Sequence, residues 1–188
     1  MRQPVFDFFP EHADLVTADP RRGALTLEHL LTMQAPITWN DEVVPYSDPS
    51  NDLVRMFTVA DPLGYALSKP LYAASGTVFD YCNASTNILG DVVRRATGRR
   101  LDHFADTVLF LPLGITTRRW YRFSDQAVLA SGDLELRPRD AAKLGQLFLS
   151  RGGVGRTESG VGRVGGSGDG ATHLAGPAVR LEGNAAGR

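Results

Sequence analysis

The chain has 188 residues, enough for one domain of ordinary size, and its 43% hydrophobic and 22% charged content is that of a globular protein with a real core. A net charge of −1 provides no global field toward nucleic acid or anionic lipid, and a single cysteine, Cys82, excludes an internal disulfide framework or a cysteine-based metal site. No apolar run approaches the roughly eighteen residues of a membrane span, and Met1 to Phe6 lacks an apolar core of signal-peptide length.

Residues 1–24 read as a connector. Phe6, Phe8 and Phe9 are apolar anchors, while Pro4, Pro10 and Pro20 forbid a continuous helix or a central strand. The first helix is expected from Thr26, its N-cap, through Met33, with Leu27, Leu30 and Leu31 as the buried stripe and His29 as a hydrogen-bonded structural histidine. From Gln34 to Gly76 the chain is rich in loops and holds five of the eleven prolines. One short helix fits there, about Asn51 to Val59, capped by Ser50 with Leu53, Met56 and Phe57 facing inward. Loops of this length are either substrate walls and lids or plain surface connections.

Phe79-Asp80-Tyr81-Cys82-Asn83 leads straight into an amphipathic helix on which Ile88, Leu89, Val92, Val93 and Ala96 share a face. Asn83 or Ser85 can cap its first turn, and Gly98 suits the left-handed position past its end. Tyr81 thus stands on a short loop held still by a packed helix, a suitable mount for a reactive phenol or for an ordinary packing tyrosine. A second helical stripe, Leu101, Phe104, Val108 and Leu109, stops at Leu111-Pro112-Leu113-Gly114, and His103 falls on its polar side. Trp120, Tyr121 and Phe123 suit a short strand or packed turn, and Ala130 to Leu134 a small-residue turn. Pro138 then opens a helix from Arg139 to Ser150 with Ala141, Leu144, Leu147 and Phe148 inside, ended by Gly152-Gly153. The last 38 residues hold twelve of the twenty glycines and no Phe, Tyr, Trp or Ile, so residues 154–188 are expected to be a disordered tail. A lone Arg151-Gly152-Gly153 without interleaved aromatics does not make an RNA-binding tail.

Several of these segments, taken in order, resemble the serine β-lactamase and penicillin-binding-protein-like hydrolases. Leu25 to Met33 resembles the family's Leu-Leu-Thr helix, and Phe79-Asp80-Tyr81-Cys82-Asn83 is similar to its Phe-x-Tyr-Ser-Asn motif. Leu111-Pro112-Leu113-Gly114-Ile115 matches its Pro-Leu-Gly turn, and Ser131-Gly132-Asp133-Leu134 through Arg139-Asp140-Ala141-Ala142-Lys143-Leu144-Gly145 its Gly-Gly-Leu…Asp-Leu-Ala-Lys-Phe-Gly run. The resemblance implies an α+β fold, mainly the helical lobe of a β-lactamase/transpeptidase-like domain over residues 25–153, with the flanking sheet strands largely missing. It further implies that Tyr81 serves as, or assists, the general base of acyl transfer. Asn83 would donate its side-chain amide to the substrate's acyl group. A free tyrosine has a pKa near 10, so such a base needs neighbouring cations that favour the phenolate.

In the family those cations come from a Ser-x-x-Lys helix and a later Lys-Thr-Gly or His-x-Gly strand. The two lysines here, Lys69 and Lys143, are preceded three residues earlier by Ala66 and Asp140, so the chain holds no Ser-x-x-Lys. His173-Leu174-Ala175-Gly176 has the wrong spacing for the later motif, and Gly165-Gly166-Ser167-Gly168-Asp169 is not a Gly-x-Ser-x-Gly elbow. The expectation is therefore an internal fragment of a serine hydrolase acting on the amide or ester bond of a β-lactam, a peptidoglycan stem peptide or a small ester, inactive by itself. The abandoned pattern past Gly153 suggests a frame shift or misjoined gene model. No cofactor, nucleic-acid partner or membrane span is expected, and compartment and oligomeric state stay open. The alternative expectation is a non-catalytic helical binding module or degenerate paralogue.

Overall fold

Three early prolines chop the N-terminal segment into single turns, and a computed structural model, which describes residues 2–122, 124 and 127–152, shows how those turns are used. The segment expected as a connector folds into 3-10 turns at Val5–Phe8, Pro10–His12 and Pro20–Ala24 around a short helix α1 (Ala13–Ala18). Val5 and Phe9 are wholly buried in the main core. Two guanidinium groups tie the segment down. Buried Arg22 donates to the carbonyls of Leu67, Ser68 (3.1 Å) and Lys69 (2.9 Å), capping the end of a helix where positive charge is favoured. Arg95 bonds Glu11, Asp91 and the Phe8 carbonyl (2.9 Å) and lies 4.3 Å over the Phe9 ring.

Helix α2 (Leu27–Leu31) starts as the sequence predicts. Thr26 caps it, and His29 returns the favour: its backbone N–H donates to the Thr26 hydroxyl, and its ring Nδ1 accepts from the Thr26 N–H at 3.3 Å. Leu30 is buried, but Leu31 is half exposed, so the stripe is narrower than expected. Helix α3 (Asp52–Met56) is capped by Asn51, not Ser50, because the Asn51 carbonyl oxygen accepts from both Leu53 and Val54. An unexpected helix α4 (Pro62–Ser68) follows, with Asp61 as N-cap and Pro62 at the first position.

Helix α5 (Asn83–Thr97) crosses the domain, burying Ala84, Ile88 and Val92 against α2, α4 and the N-terminal segment. Gly98 closes it at φ +68°, donating to the Arg94 carbonyl. Neither Asn83 nor Ser85 caps its start, contrary to expectation. Helix α6 (Leu101–Ala105) runs into a π-type turn, Asp106–Phe110, which leaves Val108 exposed and buries Phe110. Strands β1 (Arg118–Trp120) and β2 (Leu134–Leu136) pair antiparallel with Arg119 opposite Glu135. Helix α7 (Pro138–Leu149) packs Leu144 and Leu147 into a second, smaller core with Phe110, Leu113, Ile115 and Trp120. Its Ala141 and Phe148, expected inside, are exposed. The described sheet is these two strands only. Phe123, the glycine-rich tail and its Ser167 and His173 lie outside the described residues.

Candidate active-site corner

The loop carrying Tyr81 is fixed from two sides. Asp80 donates its backbone N–H to the Met33 carbonyl at 2.8 Å, and its carboxylate accepts from the Tyr72 hydroxyl at 2.7 Å. That bond, with burial behind it, pushes the Tyr72 phenol up to about 12. Gly76, at φ +85°, sits against the His29 ring, where an added Cβ would lie 3.0 Å from Nε2. The Tyr81 side chain is half exposed, and it forms no hydrogen bond among the described residues. Cys82 is buried, and burial raises its thiol to about 11, which makes it a poor nucleophile at neutral pH.

Asn83 is the first residue of α5, yet its side chain turns away from the helix's free N–H groups. It donates from Nδ2 to Asp41 Oδ2 at 2.5 Å, and both residues are more than nine-tenths buried. The other Asp41 oxygen has no partner among the described residues. Asp41 is placed by a clamp at the start of α3. Asn51 Nδ2 donates to the carbonyls of Asp41 (3.3 Å) and Val44 (2.6 Å), and Asn40 exchanges bonds with Asp52 in both directions, at 3.0 and 2.7 Å. Asp52 also accepts from Tyr65 at 2.5 Å and from Lys69.

Asn83 lines an open cleft of about 430 Å³ whose other walls are Tyr46, Leu53, Val54, Phe57, Tyr121, Leu129 and the turn Ser131 to Asp133. Phe57 and Tyr121 meet edge to face across it, centroids 6.0 Å apart. Burial, then the charges of Asp41 and Glu42, push the Tyr46 phenol above its ordinary value; Tyr81 is close enough to add to this. The turn is bolted to α5: Asn87 Nδ2 donates to Ser131 Oγ (3.1 Å) and Asn87 Oδ1 accepts from the Ser131 N–H (3.2 Å). Tyr81 stands beside this cleft rather than in its lining.

Sequence reasoning placed Tyr81 and Asn83 on one short stretch and left open what the 34–76 loops do; Tyr46, Leu53, Val54 and Phe57 of that region line the cleft. It missed Asp41, which sits in the polar run Asn40-Asp41-Glu42 that carries no sign of burial. Both lysines of the chain are already paired. Lys69 is committed to Asp52, and Lys143 to Asp140 (2.8 Å) and the Gly114 carbonyl (3.1 Å). Among the described residues no group of histidines, cysteines and carboxylates could hold a metal ion, and no helix is long and apolar enough to cross a membrane.

The Beta-lactamase family model matches residues 2–155, and the chain belongs to that family. It is 29% identical over 161 residues to a 6-aminohexanoate-dimer hydrolase of Paenarthrobacter ureafaciens, a match covering 80% of this chain and 39% of the relative. Its fold is similar to that of a Bacillus anthracis protein provisionally assigned as a 6-aminohexanoate-dimer hydrolase, with a TM-score of 0.66 and 22% identity over 81% of this chain and 42% of the other. The chain therefore spans about two fifths of the length of these relatives.

Proposed function

We propose that residues 25–153 are the helical lobe of a serine hydrolase that cleaves amide bonds through an acyl-enzyme, and that this lobe contributes Tyr81 as proton carrier and Asn83 as the amide that holds the acyl group. The observation that carries the reading is Asn83 facing an open, aromatic-walled cleft beside a half-exposed Tyr81. Such a cleft suits a substrate with a slender apolar chain around its amide, which agrees with relatives named for hydrolysis of the 6-aminohexanoate dimer. The serine nucleophile and the cations that lower the phenol's pKa are contributed by polypeptide beyond these residues, because this sequence holds no Ser-x-x-Lys and its lysines are paired elsewhere. By itself the chain does not turn over.

The experiment replaces the matching two fifths of the Paenarthrobacter hydrolase with residues 2–152 and follows hydrolysis of the 6-aminohexanoate dimer. Activity in the chimera that falls at least about a hundredfold with Tyr81→Phe, the usual scale of a general base, supports the reading. A folded chimera whose rate ignores Tyr81→Phe refutes it. Covalent labelling of the 188-residue chain alone by an active-serine probe refutes the claim that its nucleophile lies elsewhere. The second reading, a non-catalytic binding module, rests on that absent motif, and it predicts a folded but inert chimera.

A further inference from the structure

We propose that Asp41 is a positioning residue whose carboxylate sets which way the Asn83 amide faces the cleft; this rests on the reading of Asn83 as the group that holds the acyl carbonyl. An asparagine amide has two ends of nearly equal shape and opposite function, and only its hydrogen-bond network decides between them. Asp41 Oδ2 lies 2.5 Å from the end assigned as Nδ2. A carboxylate has no proton to give, so turning the amide over would set two oxygens against each other at that distance, between two residues more than nine-tenths buried. One amide hydrogen is therefore committed to Asp41. The second hydrogen and the Asn83 carbonyl oxygen remain, and the hydrogen is the one a substrate carbonyl can use.

Two further observations separate this from an incidental contact. Among the described residues Asp41 has no ion-pair partner and its second oxygen accepts nothing, so the Asn83 bond is the one hydrogen bond its side chain makes there. The carboxylate's own place is also determined. Asn51 holds the Asp41 and Val44 carbonyls, and the Asn40–Asp52 exchange fastens the preceding residue to the same helix end. The start of α3 thus dictates the orientation of a group at the start of α5, through a loop of polar residues. Asn83 stands at the first helical position, one past the N-cap residue Cys82, so capping makes no claim on its amide. The first turn has no side-chain cap.

The test uses the whole chain, labelled with nitrogen-15, and hexanamide as the probe. In the wild type one of the two Asn83 Nδ2 protons should exchange with solvent at least about tenfold more slowly than the other, and hexanamide should shift the Asn83 and Tyr46 signals. Asp41→Asn keeps shape but lets the amide turn over. It should abolish the difference between the two protons and weaken hexanamide about fivefold, the worth of one hydrogen bond, while exchange at the Ile88 backbone stays unchanged. Equal exchange of the two protons in the wild type overturns the proposal without any variant. So does full-strength hexanamide binding in Asp41→Asn, or a loss of binding matched by faster exchange at Ile88; either leaves the cleft reading standing. A wild-type chain in which hexanamide moves neither Asn83 nor Tyr46 overturns the cleft reading and the positioning role together.

Discussion

Replacing Gly90 by alanine tests how tightly the cleft's turn is held against α5. On an open helix surface this change should stabilise by about 1 kcal/mol, since alanine costs less backbone entropy. Here an added Cβ would lie 2.6 Å from the Ala130 methyl and 3.3 Å from Leu101 Cδ2, at least about 1 Å short of ordinary carbon contact for the first. The turn cannot simply retreat. Ser131 is bonded twice to Asn87, and the Trp120 indole N–H reaches the Leu129 (2.9 Å) and Gly132 (3.2 Å) carbonyls. Overpacking costs about 1–3 kcal/mol, and each bond lost in relief about 1 kcal/mol, so Gly90→Ala should destabilise by roughly 1–3 kcal/mol after the propensity gain is subtracted. Urea unfolding followed by tryptophan fluorescence reads the change, and Ala130→Gly in the same chain should recover most of it. A Gly90→Ala protein as stable as the wild type, or a double variant with no recovery, would show that the turn is not held as argued.

Gly98 has open space around it but sits at φ +68°, so Gly98→Ala should cost about 1 kcal/mol in the same assay through backbone strain alone. Asn51→Ala removes the α3 cap and two loop bonds, and a loss of at least about 2 kcal/mol is expected by urea titration. The buried thiol of Cys82, raised to about 11, should ignore a disulfide reagent in native buffer and react at the global unfolding rate, which stopped-time labelling measures. Tyr72, raised to about 12 by its bond to Asp80, is held neutral by the fold. Its stabilising contribution is complete below the unfolded value near 10 and disappears as pH rises through the folded one, so Asp80→Asn should bring the ionisation of one among the late-titrating tyrosines forward in an absorbance titration.

What was legible in the sequence was local. Thr26 as a cap, Gly98 as a left-handed stop and Pro138 at a first turn are decided by neighbours within a few residues, and the structure has all three. Helix α4 carried an equally local signal in Asp61-Pro62, hidden by the reading of the five prolines between Gln34 and Gly76 as marks of loops. Asn51 displaced Ser50 as cap because its longer side chain also serves two loop carbonyls. Ordered motifs gave the family and set Tyr81 and Asn83 at one corner. The rest of the corner came from distance: Asp41 is 42 positions from Asn83, and Tyr46, Phe57 and Tyr121 meet only when three segments pack. Nothing in an alternation of polar and apolar residues marks a carboxylate for burial. Phe148 failed for the converse reason, since a helical stripe says which side chains align and not how wide the neighbouring surface is.

The two arginine straps, Arg22 on the end of α4 and Arg95 on the N-terminal turns, carry a practical consequence. A protease that severed one peptide bond between these anchor points would not release a peptide. The pieces would stay together as a nicked pair, because parting them would uncover Val5 and Phe9 and strand a guanidinium in apolar surroundings. The opening stretch therefore behaves as a keel rather than a loose end, and it separates only when the whole body comes apart.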